Sequence, residues 1–113
     1  MTANVKNAPA GTYFTEIGYS QAYPWVLEKV SPSGKTLTLR RVRTKGDPEW
    51  KPQFYIGGFA GHCHNQHDQT WLYDGLEDRF TTIRKDKRGE WRHKGVRFIE
   101  EKSGPHYFYD YNF

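Results

Sequence analysis

Cysteine is almost missing from this chain. Cys63 is the sole example in 113 residues, so no internal disulfide framework can form. Such usage fits a reducing compartment. Long apolar runs are missing too. None approaches the ~18 residues of a membrane-crossing helix, and the N-terminal stretch has no apolar leader core. The expected location is therefore the cytoplasm, with no membrane partner. Helical periodicity is absent, because no segment sustains apolar residues at i, i+3, i+4 and i+7. Also absent are Gly-x-Ser-x-Gly, the P-loop and Gly-x-Gly-x-x-Gly. Asp74, Glu77 and Asp78 cluster only at an apparent turn, where solvated acids are ordinary. These gaps point away from an enzyme and toward a binding protein with no expected cofactor.

Aliphatic residues are scarce, but rings are not: the hydrophobic fraction is 35% and the aromatic fraction 17%. Each large ring buries about 150–250 Å², so few are needed to build a core that a disordered chain would lack. The length suits one domain. Residues 1–10 read as a loose tail, and 11–113 as a single domain.

From Gly11 onward, short β-prone runs alternate with turn chemistry. Strands are expected over Thr12 to Ile17 and Tyr23 to Val30, then, after the Ser31-Pro32-Ser33-Gly34 turn, over Lys35 to Arg43. In that last run Leu37 and Leu39 mark the inward face. Gln53 to Ile56 and Thr70 to Tyr73 follow. Asp74-Gly75 reads as a turn, with one helical turn over Leu76 to Arg79. Arg79 to Arg84 and Glu90 to His93 flank a charged hairpin tip, and Val96 to Glu101 and Tyr107 to Phe113 complete the pattern. The fold expected is all-β, an SH3-like small barrel or a compact sandwich of about seven to nine short antiparallel strands. Sheet edges would be hidden by closure, by the long middle loop, or by a homo-oligomer.

The densest chemistry lies between Gly57 and Trp71, which holds three of the five histidines and the cysteine. In an extended segment His62 and His64 project to one side and Cys63 to the other. With His67 they make a candidate zinc set. The spacing His-x-His-x-x-His resembles the metal motif of metallo-β-lactamase-like hydrolases, but Gln66 stands where that motif has Asp. A metal-dependent hydrolase is the least favoured reading. A polar loop that lines or covers a ligand site is the plainer one, with Cys63 as a small buried apolar residue.

The net charge of +4 is unevenly spread: residues 29–51 carry seven Lys/Arg against two acids, and residues 79–97 eight against two. A positive face built this way suits nucleotide, nucleic acid or an acidic protein, though basic hairpin tips also serve as plain edge protection. Interleaved rings can stack bases. The ligand-binding candidates are Arg40, Arg41, Arg43, His62, His64, Trp71, Tyr73, Arg84, Arg92 and Tyr109. A wider set adds Tyr55, Lys85, Lys87, Arg88, Trp91, Lys94 and Arg97.

Three stretches carry a resemblance. They are the run from Tyr19 through Tyr23-Pro24-Trp25 and Ser31-Pro32-Ser33-Gly34-Lys35 to Arg41, then Gly57-Gly58-Phe59 before His62, and the ending Tyr109-Asp110-Tyr111-Asn112-Phe113. Here the chain resembles a group of small bacteriophage and prophage proteins. The resemblance implies a setting, the infected host cytoplasm, and carries no functional residue over. Within it, the expected function is non-catalytic binding of a phosphate-bearing ligand, one version being sequestration of a host immune nucleotide. Direct inhibition of a host defence protein is the alternative.

Overall fold

The structure, a computed structural model, describes residues 11–54 and 63–112. Six strands form in chain order: β1 (Tyr13–Ile17), β2 (Ala22–Val30), β3 (Thr36–Gly46), β4 (Trp71–Lys85), β5 (Trp91–His93) and β6 (Val96–Glu101), with one 3-10 turn at Gln66–Asp68 before β4. Each pairs antiparallel with its neighbour, and β6 returns to β1, which closes the ring. The closure is uneven, since β4 meets the three-residue β5 only at Arg84 and Lys85, so it covers ladder edges only where the strands pair. The all-β class expected from the sequence is what the chain has, and of the barrel and the sandwich expected it is the closed form that appears, as one uneven antiparallel ring. Among the described residues no helix is long and apolar enough to cross a membrane.

Local chemistry explains the turns. After β2, Gly34 takes φ +75° and Ser31 Oγ accepts the Thr36 N–H at 3.1 Å. After β4, Asp86 Oδ1 accepts the N–H groups of Arg88 and Glu90, and Gly89 takes φ +82°. The β5–β6 turn has positive φ at both Lys94 and Gly95, the twist that a tight two-residue hairpin needs.

Three expectations are corrected. The Asp74-Gly75 turn and the helical turn after it do not form: one strand, β4, runs from Trp71 to Lys85. Its partner register slips instead. Four residues of β4 match two of β3 between Arg40↔Phe80 and Val42↔Leu76, then three match two up to Thr44↔Tyr73. An odd excess turns the side chains over to the other face, so Ile83 points into the barrel while Tyr73 lies outside it. Gly75 sits at that point with φ +140°, and a Cβ there would stand 2.7 Å from Arg43 Nη2. The residues that read as a chain reversal therefore serve as a bulge. Second, Tyr107 to Phe113 is not a strand among the described residues: only Phe108 pairs, with Ala22. Third, Phe54 makes an isolated bridge to Cys63 rather than opening a strand, and Tyr55 and Ile56 lie outside the described residues. Among the described residues these differences leave six strands, against about seven to nine expected for the chain.

Two apolar clusters result. Phe14, Trp25, Leu37, Leu39, Ile83 and Phe98 fill the barrel. Tyr13, Val26, Val42 and Tyr73 pack on its outside, with Trp71, Leu76 and Tyr107 against them. β1 and β2 are thus buried on both faces where Tyr13 and Phe14 meet Val26 and Trp25. The cover over the outer cluster includes the C-terminal stretch, tied down by side-chain amides. Gln66 Oε1 accepts the Tyr111 N–H at 2.8 Å, Gln69 Oε1 the Tyr109 N–H at 2.9 Å, and Asn112 Oδ1 the Cys63 N–H at 2.8 Å.

Candidate ligand-binding cleft

The Ser31–Lys35 turn and the Asp86–Glu90 turn lie at the same end of the barrel, because Thr36 pairs with Arg84 and Lys85 with Trp91. Between them opens a cleft of about 340 Å³, lined by Gly34, Lys35, Arg84, Lys85 and Trp91. Gly34 and Lys35 come from the turn, Arg84 and Lys85 from the end of β4, and Trp91 from the start of β5. The indole is anchored from behind: Trp91 packs on the barrel cluster and meets Phe14 edge-on at 6.3 Å. On the ring itself, Lys85 Nζ stands 5.3 Å from the centroid, a cation–π distance.

Charge in this cleft is of one sign. No carboxylate lines it, and Lys35, Arg84 and Lys85 join no ion pair among the described residues. The nearest acids along the chain, Asp86 and Glu90, are taken by Arg92. Its Nε lies 2.9 Å from Asp86 Oδ2, its Nη2 3.0 Å from Glu90 Oε1, and its Nη1 donates to Gly95 O at 3.0 Å. Hydrogen bonds that Arg92 donates to Glu90, and next to Asp86, hold its guanidinium above its usual pKa. The Glu90 N–H, first among several donors, holds the Asp86 carboxyl below its own.

The structure divides the residues that sequence reasoning put forward. Arg84 is in the cleft, while Arg92 borders it and is spent on its two acids. Arg40 donates from Nε to Glu77 O at 2.8 Å and covers the Phe80 ring at 5.1 Å. Arg43 pairs with Asp74 at 3.3 Å. Arg41 is half-buried near the barrel's other end, 4.8 Å from the Tyr23 ring and 5.6 Å from Trp25. Burial, and next to it the charge of Arg79, hold its pKa below the usual value. Tyr73 is buried, and its hydroxyl accepts the Tyr107 N–H at 3.0 Å. Trp71 packs edge-on to Tyr107 at 4.6 Å and donates to Gln69 Oε1. Tyr109 is exposed and meets Tyr111 at 4.7 Å. None of these side chains lines the cleft.

The histidine segment is likewise occupied with structure where it is described. His64 N–H donates to Gln53 O at 2.9 Å, and His67 stacks on Phe108 at 6.0 Å. Cys63 is buried, with Sγ 3.3 Å from Asn65 Oδ1. Among the described residues no three His, Cys, Asp or Glu side chains converge in a metal-binding group; His62 lies outside them.

Lys35 is the member of the cleft that the sequence does not single out. Its signal is positional: it follows the glycine of a hairpin turn and so faces the end of whichever strand pairs with β3. Lys85 and Trp91 stand in the wider basic and aromatic set, but their pairing comes only from the β4–β5 register. A smaller hollow of about 210 Å³ at the other end differs in kind, since its lining includes Glu16 as well as Arg79 and His93. The Glu16 carboxylate there accepts the Trp25 indole N–H at 2.8 Å.

No family model matches the chain, and neither a curated protein nor a solved structure is similar to it.

Proposed function

We propose that the protein binds a phosphate-bearing ligand in the Lys35–Arg84–Lys85–Trp91 cleft and performs no chemistry on it. One observation carries this reading: three cations with no acid partner among the described residues surround an indole fixed by the core. Cations meet phosphate oxygens through charge-assisted hydrogen bonds, and an anchored indole offers a stacking face with little ordering cost. The cleft volume of about 340 Å³ is within the range of small-molecule sites. Its described lining offers cations and a ring, the two chemistries that hold a phosphate and a base.

Calorimetric titration with a nucleoside triphosphate across a salt series tests the proposal. The expected result is saturable binding that weakens as salt rises, together with loss of binding in the Lys35→Ala/Arg84→Ala/Lys85→Ala triple variant. Salt-independent binding, or binding unchanged in that variant, would overturn it.

A further inference from the structure

We infer that the occupant of this cleft is a single nucleotide unit with its phosphates, rather than a length of nucleic-acid strand; this rests on the phosphate-binding reading above. A strand needs a positive track that continues past one residue, and a succession of rings for successive bases. The cleft supplies neither. On the β5–β6 side the track stops at once. Arg84, Arg92 and Arg97 lie side by side across three strands, but every donor-bearing arm of Arg92 is engaged. Arg97 shares Glu90, with Nε at 3.8 Å. Asp86 and Glu90 thus neutralise the two arginines that would otherwise continue the positive track beyond Arg84. On the side of the first turn, the residues before Gly34 are the uncharged Ser31, Pro32 and Ser33, and the cations of the second turn, Lys87 and Arg88, are not in the described lining. Trp91 is the one ring in the described lining, which gives one base a platform and the next base none.

The position of Lys85 adds to this. Its ammonium now covers the Trp91 face, where a base would stack. A lysine on a four-carbon stem can give up that face and still reach a phosphate on the same nucleotide. Lys35 and Arg84 hold the rest of the phosphate chain. The base is thereby held by stacking and the phosphates by charge, within one unit.

Competition binding on the intact chain separates the alternatives. Four probes are compared: inorganic triphosphate, a nucleoside triphosphate, and a dinucleotide and a dodecanucleotide with the same 5′ end. The nucleoside triphosphate is expected to bind about five- to a hundredfold tighter than inorganic triphosphate, the stacking contribution of one base. Trp91→Phe should narrow that gap, and Arg84→Ala should weaken both ligands alike. Arg84 is exposed, so its variant does not depend on repacking the core. From dinucleotide to dodecanucleotide neither affinity nor salt slope should rise. Steady gain with length and a steeper salt slope would overturn the single-unit inference and leave phosphate binding standing. Equal affinity for inorganic triphosphate and nucleotide would overturn the role of the base. Failure of all four probes to bind would remove the phosphate-binding reading itself.

Discussion

The two apolar clusters of this molecule are held in different ways. Inside the barrel, Leu39 and Ile83 are fully buried among rings and aliphatics, and backbone ladders from six strands surround them. Outside, Tyr13, Val26, Val42 and Tyr73 are covered in part by a C-terminal stretch with one backbone bridge to the sheet. That cover is fastened by Gln66, Gln69 and Asn112, whose amides supply acceptors that a paired strand would otherwise provide. Backbone pairing tolerates many sequences. Fastening by side chains depends on particular residues at particular places. The barrel should therefore behave as the cooperative unit, and the outer layer as a part that loosens first.

A cavity inside the barrel should have the largest effect. Ile83→Ala removes a side chain with no exposure and should cost about 2–5 kcal/mol of unfolding free energy. The measurement is the urea midpoint followed by two probes, far-ultraviolet dichroism and tryptophan fluorescence. Both should shift together, because the outer layer has no support once the barrel opens. If the fluorescence change of the outer tryptophans kept its original midpoint, the hierarchy would be reversed.

How much of this was legible in the sequence follows the same division. Leu37 and Leu39 announce an inward face by strict alternation, and Ser31-Pro32-Ser33-Gly34 announces its turn; both are as read. Alternation fails in β4. One bulge residue near Gly75 exchanges the faces, and a glycine after an aspartate carries the same local signal for a bulge as for a turn. The Tyr107–Tyr111 stretch alternates like a strand, yet its amides find side-chain acceptors instead. No local pattern distinguishes an N–H bound to a neighbouring strand from one bound to Gln66. At the cleft, Arg84 was visible as one cation among many. Which cations stay free of acids depends on register, since Arg92 is paired by Asp86 and Glu90 while Arg84, across the ladder from it, is not.

Alkaline titration probes the outer cluster next. Burial pushes the Tyr73 hydroxyl up to about 12, against the opposing hydrogen bond from the Tyr107 N–H. A raised value means that the folded chain holds this proton more tightly than the unfolded chain does. The stabilisation is therefore whole below about pH 10, and is lost as pH rises toward about 12, amounting to about 2–3 kcal/mol at most. Stability measured at pH 10 and above should fall steeply in the native protein and less steeply in Tyr73→Phe. Equal slopes would mean that Tyr73 is not closed off from water, and that the outer layer does not seal its cluster.

The smallest effect is the most selective. Gln66 occupies the position where a zinc-hydrolase pattern would require an aspartate, and its amide oxygen accepts the Tyr111 N–H at 2.8 Å. A carboxamide acts there as a fixed acceptor without bringing a charge to the C-terminal stretch. Gln66→Ala removes that acceptor and leaves the barrel ladders untouched, so the expected cost is about 1 kcal/mol. Hydrogen exchange should show the change as faster exchange at Tyr111 and its neighbours, with β1, β2 and β3 amides unaltered. Accelerated exchange throughout the barrel would show that cover and barrel open as one body. Unchanged exchange at Tyr111 would show that the ring contacts of Tyr111 with Trp50 and Tyr109 suffice to hold the layer. Either result would remove the distinction between a part held by its backbone and a part held by its side chains.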